Sequence, residues 1–535
     1  MVNKNLFVYE YEEHIVIVDC GIGFPESEQL GIDVVIPDIS YLKDKLKHIR
    51  GIVITHGHED HYGALPYVLE DLDFPPVYTS KLVNGFTQVK LKEHGLLKRA
   101  RLHIFPTDDS FSLGCFNFTP YRVNHSIPDA FGFFIKTPVG NIVHASDFKF
   151  DWTPVDGKKF EIGKLARLAQ EGTRCLLTDC LGANSEGYTR SELFIQDTFE
   201  EEIENAPRQV FITTVSSNIS RIQQAVNASR KFGRKVAFMG MSILQNTEVA
   251  RNLGYLDISS KDIVPIEKIH SYPDEKLTVL IAGSYGQSSS SLARVASDSH
   301  TLIKLKPSAV VIFSADPIPG VYDQVGALID KLVERGARVA YSEIQENLHV
   351  SGHGSQGDLS ILAGIVRPDY FVPIGGSPRH QRAYAQLVER MGFARGNVLE
   401  LRDGEGIIIS PNSVEQKKMV SLTDVFVDGS SVGDVGKVVL HDRQVMAEEG
   451  IFIVIIKKDA RGMLRDSVDV ISRGFVYMAI SDKLVGNAKD IAKQAIRNKK
   501  ASDWNHVRGQ IEKQLSGFLY RKTKRNPMVL PVLVD

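Results

Sequence analysis

The chain has 535 residues, 43% of them hydrophobic and 24% charged, and a formal net charge of −2. That length exceeds one domain and points to about three. The composition is that of a soluble globular protein and excludes a fibrous or disordered chain; no apolar stretch approaches the length that spans a bilayer, and no N-terminal signal pattern is present. The near-neutral charge selects no partner, and it leaves nucleic acid open because a groove can be basic in a neutral protein. Cys20, Cys115, Cys175 and Cys180 form no CxxC pair, which suits buried thiols in a reducing cytosol.

Residues 6–20 read as two strands, and Gly21-Ile22-Gly23-Phe24-Pro25 turns the chain. The apolar run Ile52-Val53-Ile54 reads as a buried strand that delivers Thr55-His56-Gly57-His58-Glu59-Asp60-His61. A helix start follows at Tyr62–Pro66. The polar cluster therefore sits on a loop at the C-terminal end of a strand, where open α/β sheets place their sites. In an extended turn His56 and His58 point the same way, and Asp60 and His61 turn towards a second point. Imidazole and carboxylate suit zinc, and two such ligand sets suit a pair of metals roughly 3.5–4 Å apart. An exposed polar loop is the bland alternative; four potential ligands within six residues argue against it.

Two more strands end in the same way. Phe116 to Asn124 leads to His125-Ser126-Ile127-Pro128-Asp129, and Asn141–His144 leads to Ala145-Ser146-Asp147-Phe148-Lys149-Phe150-Asp151. His125 can complete the first metal's set, and Asp147 can bridge both metals. His144 lies within its strand and reads as a packed histidine.

From these segments, with Leu30–Asp38, the chain resembles the metallo-β-lactamase superfamily and, within it, bacterial ribonuclease J. The resemblance implies an α/β protein: a metallo-β-lactamase αββα sandwich, an inserted doubly wound β-CASP domain and a small α+β C-terminal domain. The implied divisions are 1–183 and 338–424 for the two parts of the sandwich, 184–337 for the insertion, 425–450 for a β-rich linker and 451–535 for a C-terminal oligomerisation domain. The family carries a further strand and a Gly-rich turn ahead of its first match here.

In the insertion the helix–strand rhythm is that of a parallel sheet: a helix near 191–204, a strand at Val210–Thr214, a helix at 218–232 and a strand at Lys235–Met239. Ser217, Asn218 and Arg221 stand at a strand-to-helix turn, where backbone N–H groups can hold a phosphate and an N-cap with a Gly/Ser turn is the plainer reading. Ile281–Gln287 repeats the device without the Gln-Gly-Glu-Pro usual in the family.

The resemblance assigns further roles. Asp179 falls on an acidic motif. His349, Val350, Ser351, Gly352 and His353 match a substrate loop in which His349 and Ser351 hold a 5′ phosphate and His353 faces the scissile phosphate, with Asp60, Asp179 and His353 as the catalytic groups. An imidazole there can stabilise phosphoryl charge or protonate a leaving oxygen. The family reads His-Gly-Glu after Val372-Pro373-Ile374, and the His binds the second metal; here Gly375-Gly376-Ser377 stand there. Glycine has no ligand atom, so the second metal keeps Asp60, His61 and the shared Asp147. His380 reads as a surface residue on the following helix.

In the C-terminal region Asp428 lies where some relatives bind a structural calcium. Strands at Ile451–Ile456 and Ser472–Tyr477 and helices near 482–499 and 503–521 are expected. The Arg521–Arg525 run reads as an RNA-phosphate contact or as a solvated helix end. The implied activity is metal-dependent ribonuclease action, 5′-to-3′ on 5′-monophosphate single-stranded RNA and internally, in mRNA decay and rRNA maturation. It would use two Zn2+, with Mn2+ or Mg2+ as substitutes, in a cytoplasmic homodimer or homotetramer. The alternative is an attenuated or inactive RNA-binding paralogue that supports an active ribonuclease partner.

Overall fold

The computed structural model describes residues 4–26, 28–315, 321–345, 347–429, 431–475 and 482–534. The chain forms two compact units, one of residues 1–24 and 35–425 and the other of residues 25–34 and 426–535.

In the first unit two sheets face each other. One has five strands in the order Phe7–Tyr11, His14–Val18, Ile49–Val53, Val77–Thr79, Leu102–Ile104. The other has six, in the order Tyr370–Ile374, Cys175–Asp179, Gly140–His144, Phe131–Thr137, Phe116–Arg122, Phe111–Leu113. Between them lie Val16, Val18, Val53, Phe118, Phe131, Phe133, Ile142 and Val372, all buried. Each such side chain contributes roughly 1.5–3 kcal/mol by leaving water. On the outer face of the six-stranded sheet, Leu165, Leu359, Leu362, Tyr384 and Val388 come from helices Ile162–Ala169, Gln356–Val366 and Pro378–Arg390. The layers are those of an αββα sandwich.

The runs Ile52–Ile54 and Leu176–Leu177 are continuous rather than alternating because both strands are parallel and covered on both faces. Parallel pairing of His14–Val18 with Ile49–Val53, and of Cys175–Asp179 with both Gly140–His144 and Tyr370–Ile374, brings these strand ends to one edge. Those ends carry Asp19, His56, Asp147, Asp179 and Gly375.

The insertion is an all-parallel five-stranded sheet in the order Lys235–Met239, Leu277–Ile281, Val210–Thr213, Val310–Phe313, Arg338–Ala340. Its helices Phe194–Glu204 and Ile219–Lys231 fall close to the predicted spans. One boundary moves. Arg338–Ala340 pairs with Val310–Phe313, so this sheet takes the strand that the sequence assigns to the returning sandwich. Val339 and Ala340 are apolar enough for either core.

In the second unit a sheet in the order Leu464–Arg473, Ile451–Lys458, Met528–Val534 packs under helices Asp482–Ile496 and Trp504–Thr523. Phe452, Val454 and Ile456 are buried, the period of two that a half-covered strand requires. Of the expected strand at Ser472–Tyr477, Ser472 and Arg473 close the strand Leu464–Arg473, Gly474 and Phe475 bend away from it, and Val476 and Tyr477 lie outside the described residues. The expected β-rich linker contains a helix, Lys437–Glu449, stopped by Gly450 at φ 82°.

Candidate metal centre

His56 and His58 leave the strand end on an extended backbone, and Asp60 and His61 begin a short helix, Glu59–Tyr62. The turn seats against Gly21, where a Cβ would lie 1.5 Å from the Asp60 carbonyl oxygen, so only glycine fits. His56 Nε2 lies 3.1 Å from His58 Nδ1, and His125 Nε2 lies 3.0 Å from that same atom. A tetrahedral zinc with Zn–N of about 2.0–2.1 Å sets its nitrogens about 3.3 Å apart. Asp147 Oδ2 lies 3.9 Å from His56 Nε2, 3.9 Å from His125 Nε2 and 3.3 Å from His61 Nε2. Asp60 Oδ2 is 3.5 Å from His61 Nε2. Asp147 therefore belongs both to the group around His56 and His61 and to the group around His125 and His353.

Each histidine of this cluster is turned by its other nitrogen. His56 Nδ1 lies 3.0 Å from the Thr55 hydroxyl, His125 Nδ1 lies 2.7 Å from the Gly352 carbonyl, His61 Nδ1 lies 2.7 Å from Asp19 Oδ2, and His58 Nε2 lies 3.2 Å from the Ser126 hydroxyl. A nitrogen that donates outward leaves its partner with a bare lone pair facing in. Burial first, and neighbouring imidazoles second, hold His56 and His125 well below the usual histidine range and His58 at about 3. The His58 lone pair, 3.1 Å and 3.0 Å from those of His56 and His125, is repelled by both unless a cation lies between them. The donor set fits a divalent metal, and imidazole with carboxylate fits zinc.

The second half is charged differently. Burial opposes a proton on His61, but Asp60, Asp19 and Asp147 outweigh it and raise its pKa well above normal. Burial and Asp147 raise Asp60 to about 6. Asp147, despite the burial that opposes ionisation, is held well below the carboxylate range by His61.

His353 approaches from the loop after Arg338–Ala340. Its Nδ1 is 2.7 Å from Asp179 Oδ2, and its ring lies 5.0 Å from that of His125. Burial disfavours its charge, but Asp179 prevails and lifts the pKa to about 9. His353 is therefore an imidazolium at neutral pH beside the metal donors.

Gly375 ends its strand at φ 74°. A Cβ there would lie 3.6 Å from Asp179 Oδ1 and 3.7 Å from Asp147 Oδ1, so the position faces the second half of the centre. His380 does not fill it. Its Nδ1 accepts from the Ser377 backbone N–H at 3.1 Å and caps the helix Pro378–Arg390.

Several expectations change here. Arg221 is fully buried in an ion pair with Glu192 and presents nothing to a substrate. Asn218 caps its own helix by accepting from the Arg221 N–H at 2.9 Å, and Ser217 beside it is buried. Val350 is buried, and a Cβ on Gly352 would lie 2.7 Å from the His125 ring, so these two pack the loop against the centre. Ser351 is exposed, and His349 is half-buried. Asp428 is ion-paired with Arg443, which supplies the positive charge expected of a calcium. His144 is packed as expected, with Nδ1 2.9 Å from the Tyr9 hydroxyl.

Asp19 is the residue the sequence reading missed. It is fully buried at φ 62°, accepts from the Thr55 N–H at 2.8 Å and holds His61. Its signal was present, because Asp19 ends the strand that pairs with Ile49–Val53, at the same sheet edge as the histidine loop. Asn5 was missed as well; its Nδ2 donates to the Asp60 carbonyl at 3.1 Å.

An αββα sandwich with a buried His/Asp cluster at its strand ends defines a metal-dependent hydrolase of the metallo-β-lactamase type. Family profiles match in four places: metallo-beta-lactamase superfamily over 2–159, ribonuclease J beta-CASP domain over 207–332, Zn-dependent metallo-hydrolase RNA specificity domain over 336–398 and ribonuclease J C-terminal domain over 438–535. The chain is 33% identical to ribonuclease J2 of Bacillus subtilis over 100% of its own length and 96% of that protein's. It is 35% identical to ribonuclease J 1 of Streptococcus pyogenes and 36% to ribonuclease J of Thermus thermophilus, each over 100% of this chain and over 95% and 93% of theirs. A crystal structure of a protein of unknown function from Enterococcus faecalis shares the fold, with a TM-score of 0.52 at 13% identity, over 78% of this chain and 97% of that one. The chain belongs to the ribonuclease J family of metal-dependent RNA hydrolases.

Proposed function

We propose that this chain hydrolyses RNA phosphodiesters at the centre around Asp147, working 5′-to-3′ from a 5′ monophosphate and also cleaving internally. The observation that carries this is the convergence of three neutral imidazoles on one point, with Asp147 and a cationic His353 alongside. In this reading His56, His58 and His125 hold one Zn2+, Asp60 and His61 hold a second, and Asp147 serves both. Mn2+ or Mg2+ can take the oxygen-richer half. A divalent cation held there supplies a water nucleophile at neutral pH and neutralises charge developing on the phosphoryl oxygens.

The protein's own groups do the rest. Asp19, Thr55 and Ser126 keep the imidazoles in the tautomers that face inward. Asp60, which burial and Asp147 raise to about 6, offers its carboxylate to the second half of the centre. Asp179 keeps His353 charged, and His353 delivers a proton to the departing ribose oxygen. His349 and Ser351 face the terminal phosphate. A single strand suits a cleft at strand ends, where unstacked bases can be splayed apart. The cellular roles that follow are mRNA decay and rRNA maturation in the cytoplasm, by a homodimer or homotetramer or in association with a ribonuclease paralogue. Among the described residues no helix is long and apolar enough to cross a membrane.

Gly375 favours a second reading, in which the chain binds RNA, cleaves it weakly or not at all, and supports an active partner. Native mass spectrometry and an RNA-decay assay separate the two. Two zincs, with decay abolished in His58→Ala, support the enzyme. One metal or none, with RNA still bound, supports the paralogue reading.

A further inference from the structure

Away from the metal centre the first unit buries a second charged cluster. Lys149 and Arg221 are 0% exposed and Glu192 3%. Lys149 Nζ lies 2.9 Å from Glu192 Oε1, and an Arg221 guanidinium nitrogen lies 2.5 Å from Glu192 Oε2. Two cations face one carboxylate, and the surplus positive charge goes into backbone carbonyls. Lys149 donates to the Ser351 carbonyl at 3.0 Å. Arg221 donates to the Ser314 carbonyl at 3.0 Å and approaches the Leu348 carbonyl at 3.4 Å. The Ser314 hydroxyl also donates to the Leu348 carbonyl, at 2.6 Å. Leu348 and Ser351 flank the two residues His349 and Val350.

The same loop is held by the metal centre one step further on. Gly352 accepts from His125, His353 pairs with Asp179, and the Gly354 N–H donates to the Phe148 carbonyl at 2.7 Å. Residues 348 and 351 are thus fixed by the buried cations, and residues 352–354 by the metal-binding strand ends. The carriers come from three separate places: Lys149 from the Asp147 loop, Glu192 from the start of the insertion, and Arg221 from its helix Ile219–Lys231. Among the described residues only Glu192 is ion-paired with both cations.

We propose that Glu192 is a positioning residue which, by clamping Lys149 to Arg221, holds the 348–351 segment in register with the metal centre and so sets where the 5′ phosphate of the RNA binds. The surplus charge of this cluster is aimed at both ends of the 348–351 segment, of which Ser351 alone is exposed. The proposal rests on the reading of His349 and Ser351 as phosphate-facing, and its test separates the two.

The test uses the full chain as Glu192→Gln, which keeps shape and removes charge, and as Arg221→Lys, which keeps charge and loses the fork. Arg221→Lys decides the matter if Glu192→Gln does not fold. Binding is measured with one oligoribonucleotide carrying either a 5′ monophosphate or a 5′ hydroxyl, together with zinc content and deuterium exchange of residues 347–354. The expected result is loss of about tenfold in the preference for the phosphorylated end, with faster exchange at 348–351 and unchanged zinc content. Unchanged preference and exchange overturn the proposal. So does loss of zinc or of global protection in step with the preference, because that is a merely structural role. A wild-type chain that shows no 5′-phosphate preference defeats the phosphate-facing reading, and the exchange data still decide whether Glu192 holds the loop.

Discussion

Gly375→His puts a donor back where the second half of the centre lacks one. The two halves are unequal as they stand. His56, His58 and His125 converge on one half, whereas the other has Asp60 and His61, with Asp147 and His56 close to both. The new Cβ would sit 3.6 Å and 3.7 Å from two carboxylate oxygens, an ordinary contact, so the Cβ itself displaces no atom. The cost is backbone: at φ 74° a side chain in the left-handed region costs about 1–2 kcal/mol. An imidazole that replaces a solvent ligand is worth at least about 1.4 kcal/mol to metal binding, which is a factor of ten. The variant should therefore melt slightly lower when metal-free. It should bind its second zinc about tenfold or more tightly than the parent, with RNA hydrolysis rising in parallel. Zinc titration followed by calorimetry and native mass spectrometry reads all of this. A parent that already holds two zincs with equal affinity, left unaltered by the substitution, would refute the reasoning.

Three further outcomes follow from the same geometry. His58→Ala removes the nitrogen that lies within 3.1 Å of both His56 and His125; it should abolish tight zinc binding and reduce RNA hydrolysis by at least about a hundredfold, and zinc added back to the chelated parent, but not to the variant, should restore activity. Asp179→Asn takes away the main group that raises His353, so the alkaline limb of the pH–rate profile should move to lower pH, and an unmoved limb would show that His353 is not the proton donor. Glu192 is held at about 2 by Arg221 and Lys149, against 4.5 when unfolded, despite the burial that opposes its ionisation. Because the folded pKa is the lower one, this stabilisation is complete above pH 4.5 and disappears as the pH falls through about 2. The difference in unfolding free energy between the parent and Glu192→Gln should shrink by about 3 kcal/mol across that interval, measured by urea titration at each pH; parallel curves would contradict the assignment.

The segments that could be read without coordinates are those whose meaning is local. An apolar run followed by His-Gly-His-Glu-Asp-His declares a strand and the candidate ligands at its end, because strand geometry and ligand chemistry both act within a few residues. The same holds for His125 and Asp147, and for the alternating helices and strands of 191–239. What folding decided was partnership. Arg221 looks like a phosphate contact from its place at a helix start, yet its charge is spent on Glu192, a residue 29 positions away. Asp428 could not be told from a calcium ligand until Arg443 was seen against it. The strand Arg338–Ala340 suited either core, and the free edge beside Val310–Phe313 claimed it. Electrostatics and strand pairing depend on distance in space, and sequence order does not record that distance; for this protein the chain alone specified the donors, and the packed structure determined which of them stand together and what lies behind each one.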